Sequence, residues 1–153
     1  MSAVASAYKM EANALARAST LIAHNEYDKL WDLMKIHRVA TLSYSGIVLA
    51  AAIPFLGERG IAFPKREDLS VFSTRDRETI GLIALGNADD YTFAARDLAS
   101  LSVTNDELRQ YYMQLYGDEW DQAATAMREA FSFLGRAMKS VEFSQDLLLI
   151  AIH

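Results

Sequence analysis

Cysteine is absent from the 153 residues, which excludes disulfides and thiolate metal ligands. That absence fits a reducing compartment, and cytoplasmic residence is the expectation. An excess of positive charge is missing too, since 15 lysines and arginines stand against 20 acidic residues for a net charge of −5. No nucleic-acid partner is expected, because phosphate backbones reward clustered cations and no basic stripe occurs here. Proline is scarce, and no low-complexity linker or internal repeat divides the chain. His24, His37 and His153 lie far apart and show no metal-ligand spacing, so no metal is assigned. Asp89-Asp90 and Asp118-Glu119 with Asp121 are acidic pairs, and the latter group sits at an expected helix start, where the dipole alone explains it. The N-terminal stretch MSAVASAYKMEANALARAS lacks the apolar core of a signal peptide.

What is plentiful is apolar surface, at 52% of residues, enough for a large core, a buried subunit interface, or both. A chain of this length is expected to bury roughly two-thirds of its unfolded surface as one domain. Residues 1–25 are alanine-rich and read as an N-terminal helical arm, with 26–153 as a single α+β domain. Asn25 suits the cap of a helix over about 26–36, where Leu30, Leu33 and Met34 recur at helical spacing. Residues 39–44 and 47–55 flank Ser45-Gly46 and read as a β-hairpin, because that dipeptide tolerates positive φ. The uncharged stretch 39–57 approaches the roughly 20 residues that span a bilayer. Its Thr, Ser and Tyr residues, with Gly46 and Pro54, favour a buried hairpin over a membrane span.

Residues 57–60 read as a turn, 61–63 as a short strand, 65–68 (KRED) as a solvated loop and 69–73 as another short strand. A helix is expected from Thr74 to about Leu85, stopped by Gly86-Asn87. Residues 91–95 and 98–103 read as two strands, with a helix over 90–101 as the rival. Thr104 with Glu107 matches a capping box, so a helix begins there and stops before Gly117. Asp118 suits the cap of a helix over about 119–139, and 141–143 with 147–152 look like closing strands. Tyr111, Tyr112, Tyr116 and Trp120 form an aromatic cluster suited to a core, a dimer interface or a pocket wall.

Three landmarks occur in order: Arg38-Val39-Ala40-Thr41-Leu42-Ser43; then Gly46, Ala50, Ala51, Pro54 and Phe55; then Phe72-Ser73-Thr74-Arg75-Asp76-Arg77. Together they resemble the FMN-binding split-barrel family, the pyridoxamine 5'-phosphate oxidase-like group, nearest its haem-utilisation branch. The resemblance covers about residues 27–83. It implies an antiparallel split β-barrel with flanking helices and a homodimer with the cofactor at its interface. It also implies flavin-dependent oxidation–reduction of a small molecule. It assigns Ser73, Thr74, Arg75 and Arg77 to the FMN phosphate, with Ala50 and Ala51 lining the pocket.

That phosphate corner makes physical sense at a helix start, where free N–H groups, hydroxyls and guanidinium forks favour an anion. The structural alternative is that Ser73 or Thr74 caps the helix while the arginines pair with nearby acids or face solvent. The family's basic residues in the second strand and one turn into the helix are missing, with Thr79 near the latter position. Haem is therefore the alternative ligand, with His37 or His153 as axial candidates. The other functional alternative is a cofactor-free interaction subunit, membrane-attached through 39–57.

Overall fold

The structure, a computed structural model, describes residues 3–69 and 72–153. Four antiparallel strands form one open sheet in the order β2-β1-β4-β3. They are β1 (Ala5–Met10), β2 (Arg38–Thr41), β3 (Leu82–Gly86) and β4 (Leu147–Ile152). The α+β class is as expected, but the sheet has two edges and is not closed into a barrel. β1 pairs with β4 along its full length, from Ala5 opposite Ile152 to Met10 opposite Leu147. Residues near the two ends of the chain therefore make the two central strands.

Helices cover both faces. On one face α1 (Ala12–Ala23), α2 (Tyr27–His37) and α4 (Thr74–Ile80) enclose a core of Tyr8, Met10, Leu15, Ile22, Leu30, Met34, Ile80 and Leu149. On the other, α3 (Gly46–Glu58), α5 (Ala88–Ala99), α6 (Asn105–Tyr116) and α7 (Ala123–Ser140) enclose Leu49, Phe55, Tyr91, Leu108, Phe133, Leu148 and Ile150. The period-2 alternation of a strand sends Ala5 and Ala7 into the second core and Tyr8 and Met10 into the first. Small residues at Ala5 and Ala7, and at Ala126, Ala130 and Ala137 on α7, let the longest helix approach the sheet closely.

The largest correction falls on 47–55. That run is helix α3, not the second strand of a hairpin, and only Arg38–Thr41 of the first strand survives. The Ser45 hydroxyl accepts from Ile47 N–H and opens the helix. Gly46 starts it because a Cβ there would meet Ile152 Cγ2 at 2.7 Å. Pro54 leaves the Ala50 carbonyl without its helical donor, and both residues face outward, where water can serve instead. At 13 residues α3 is about 20 Å long, short of the ~30 Å hydrocarbon core. No helix among the described residues is long and apolar enough to cross a membrane.

Other boundaries move as well. Residues 5–10 are a central strand, not part of a helical arm. Asn25 does not cap α2; it sits at φ +56°, and Glu26 is the cap residue. Residues 61–63 form no strand, and Glu67–Leu69 is a 3-10 turn; the strand expected over 69–73 lies partly outside the described residues. Helix α4 ends at Ile80, where Gly81 turns left-handed at φ +64°, and the expected second half of that helix is β3. The rival helix over 90–101 is the one that forms, as α5. Thr104 and Glu107 make the expected capping box. Helix α7 starts at Ala123 after a turn, without Asp118 as its cap. Residues 141–143 form a turn, whereas 147–152 is strand β4.

Candidate functional site

The described surface holds a cleft of about 500 Å³ between the 65–67 segment and α4, floored by β3 and Ile152. Its rim is built by backbone pairing. Leu85 N–H donates to the Pro64 carbonyl and Arg66 N–H to the Leu85 carbonyl, each at 2.9 Å, so 64–66 runs along the edge of β3. Gly86 permits this approach, since a Cβ there would sit 2.8 Å from Pro64 Cγ. The half-buried Leu82 and Ile83 supply an apolar floor with the buried Leu85 behind them, while Lys65, Thr74 and Arg77 bring donors to the walls and Glu67 and Glu78 bring acceptors.

The charges of the rim differ in how firmly they are held. Arg66 forks onto Asp68 with two 2.8 Å bonds and reaches Asp90 at 2.7 Å. Those hydrogen bonds, first to Asp68 and then to Asp90, hold its guanidinium still further above its high ordinary pKa. The Asp68 carboxyl is correspondingly held below its usual range by Arg66. Arg66 is thus a structural strut. Arg77 has a single carboxylate partner, Glu67 at 2.6 Å, whose side chain is 73% exposed. An ion pair so open to water contributes about 0–1 kcal/mol and is easily exchanged. Lys65 is exposed and makes no ion pair among the described residues.

The residues assigned by resemblance are divided by this geometry. Thr74 and Arg77 line the cleft. Ser73 is spent on a capping box, accepting from Asp76 N–H at 3.1 Å while Asp76 accepts from Ser73 N–H. Asp76, nearly buried, also accepts from the Ser19 hydroxyl and so ties α4 to α1. Arg75 points elsewhere and donates to Asn25 Oδ1 at 2.9 Å. Ala50 and Ala51 sit on α3, across the sheet, the first exposed and the second buried. The six residues therefore do not form one site.

No protein-family model, no curated protein and no solved structure matches the chain. The cleft is read on its own chemistry. Lys65 and Glu67 were missed because the KRED run carries no spacing signal and only tertiary pairing brings it to β3. No group of three or more His, Asp or Glu residues that could hold a metal ion occurs among the described residues. His153 Nε2 is engaged by the Tyr8 hydroxyl at 2.8 Å, and its ring lies 4.7 Å from Trp31. His24 Nδ1 lies 2.8 Å from the Thr20 carbonyl, and no histidine lines the cleft.

A larger groove of about 990 Å³ lies on the opposite face, between α5 and α7. The aromatic cluster belongs to that side also. Tyr112 lies 4.7 Å from Tyr116 and 5.4 Å from Trp120, and Tyr111 packs edge-on against Phe55. Burial pushes the pKa of Tyr111, Tyr112 and Tyr116 up, as expected for rings packed onto a core.

Proposed function

We propose that the protein binds a small phosphate-bearing molecule in the cleft beside α4, with flavin mononucleotide as the ligand the sequence resemblance names. The observation that carries this reading is that Thr74 and Arg77 share one cleft with Lys65 above an apolar floor. A phosphate takes the place of Glu67 on Arg77, trading an exposed pair for a forked, charge-assisted one. Lys65 adds a second positive charge, and the half-buried Leu82 and Ile83 offer apolar contact for a ring. The phosphate donors are side chains, since the start of α4 is already capped. If flavin binds, the redox chemistry is the cofactor's own, and this chain orients it. The open sheet stands where the resemblance expects a split barrel, so the phosphate site rests on the cleft and only the choice of flavin on the resemblance. The setting it assumes is the cytoplasm.

The test is a titration of flavin mononucleotide followed by its fluorescence, with inorganic phosphate as competitor. Arg77→Ala should weaken binding at least about tenfold, the scale of one charged hydrogen bond. Glu67→Gln should strengthen it a few-fold, because it removes the competing carboxylate. Opposite effects of neighbouring substitutions are not what general destabilisation produces. Absence of binding by the wild-type chain would remove the proposal. A parallel haemin titration read by its Soret band covers the alternative ligand.

A second reading is a cofactor-free interaction protein. It is favoured by the internal use of Ser73 and Arg75, two of the four residues expected to hold phosphate. Wild-type protein that takes up neither flavin nor haemin would make it the leading one.

A further inference from the structure

The α5–α7 groove has a symmetry of its own. Helix α7 lines it with Arg128, Phe131, Ser132, Gly135, Met138 and Lys139 at helical spacing, and the turn that follows the helix adds Glu142 and Phe143. Gly135 lies at equal sequence distance from Arg128 and Glu142, at the middle of this lining. A Cβ at Gly135 would meet no atom within 4 Å, so nothing inside the chain requires glycine there. Glycine nevertheless weakens a helix interior.

The charges are opposed about that midpoint. Arg128 donates to Asn105 Oδ1 at 2.7 Å and to the Val103 carbonyl at 2.8 Å, which puts it at the end of the groove beyond α5. Glu142 and Asp89 mark the other end, with Lys139 between Glu142 and the midpoint and Arg96 on the α5 wall. Neither Arg128 nor Glu142 makes an ion pair among the described residues. Phe143, next to Glu142, is 98% exposed and sits at φ +62°. A bulky aromatic in the left-handed region is a strained residue, and here its ring covers nothing in its own chain.

We propose that this groove is a self-complementary interface for a second copy of the chain, with the two α7 helices crossing antiparallel at Gly135. A two-fold axis there sets Arg128 of each copy against Glu142 of the other. It brings Lys139 over the facing Phe131 ring. It also carries Phe143 to the end lined by Leu101 and Val103. Such a contact is isologous and closes at two copies. Gly135 is then explained as the point where two helix backbones approach. The face lies across the sheet from the cleft beside α4, so this inference stands apart from the ligand proposal.

Sedimentation equilibrium of the full chain tests it, with a mass of twice the chain expected. Gly135→Gln should weaken dimerisation at least about tenfold by blocking the crossing. The same change should hold or raise the melting temperature of the monomer, since glutamine is the better helix former, which separates a lost interface from misfolding. Arg128→Glu and Glu142→Arg should each dissociate the pair, and the double exchange should restore it. A single-chain mass at every concentration up to about 100 µM, or a dimer indifferent to Gly135→Gln, overturns the inference.

Discussion

At the scale of single residues, His153 shows how burial and charge set a pH response. Its Nε2 lies 2.8 Å from the Tyr8 hydroxyl, and the ring lies against Trp31. Burial, and then the positive charge of Arg38, hold its pKa below the ordinary value. Burial likewise pushes the Tyr8 hydroxyl up, so Tyr8 stays protonated and can donate. The sign follows from proton counting. Once the pH falls below the ordinary histidine value near ~6.5, the unfolded chain takes up a proton that the folded chain refuses. His153 therefore supports folding above that pH, and the support is lost as the pH falls toward the lowered folded value. Urea midpoints for the wild type should drop between pH 7.5 and 5.5 by more than those of His153→Gln. Groups common to both proteins cancel, so only the difference between the two drops is assigned to His153. Equal drops would show that the ring is not held neutral.

At the scale of elements, Gly81 decides where a helix yields to a strand. Its φ of +64° ends α4, and a Cβ would lie 1.7 Å from the Ile152 carbonyl oxygen, against main chain that cannot move aside cheaply. Gly81→Ala should cost about 3 kcal/mol or more, read as a lowered denaturation midpoint. It should also break the Ile152 N–H to Gly81 carbonyl bond that joins β4 to β3. A loss under ~1 kcal/mol would mean that the turn relaxes freely. The same element shows why some boundaries were legible and others not. Thr104 and Glu107 carry a recognisable capping signature, and that helix begins where expected. Helix α4 also begins at Thr74 as expected, behind a box of Ser73 with Asp76, whereas the box of Asn87 with Asp90 was missed because aspartate at the third position is a weaker signal. Residues 47–55 misled for a different reason. An apolar run of that length has no periodicity that separates a buried helix from a strand, and Ser45-Gly46 serves as cap and close-packing point, not as a hairpin turn. The ligand corner was half legible: local sequence marks Thr74 and Arg77, but the 65–67 wall comes from pairing across the edge of β3.

At the scale of the whole molecule, the stretch that looked most dispensable is structurally central. Ala, Ser and Lys make β1 a poor strand by propensity, and tertiary context overrides that preference. β1 bonds to β2 on one side and β4 on the other, and it supplies Ala5 and Ala7 to one core and Tyr8 and Met10 to the other. A helical arm could be removed at little cost, whereas a central strand cannot, because both helical layers pack through it. Deleting residues 1–11 should therefore abolish the cooperative melt followed by far-UV circular dichroism, along with the near-ultraviolet signal of Trp31. A truncated chain that still melts sharply, within a few degrees of the full one, would place β1 outside the folding unit. The expected loss is global for a topological reason. The pairing that joins residues 5–10 to 147–152 is long-range, so its closure entropy is recovered only when both cores form together. Without β1, α1 and α2 keep apolar stripes with no sheet to cover, and the edge of β4 is left open to pairing between chains.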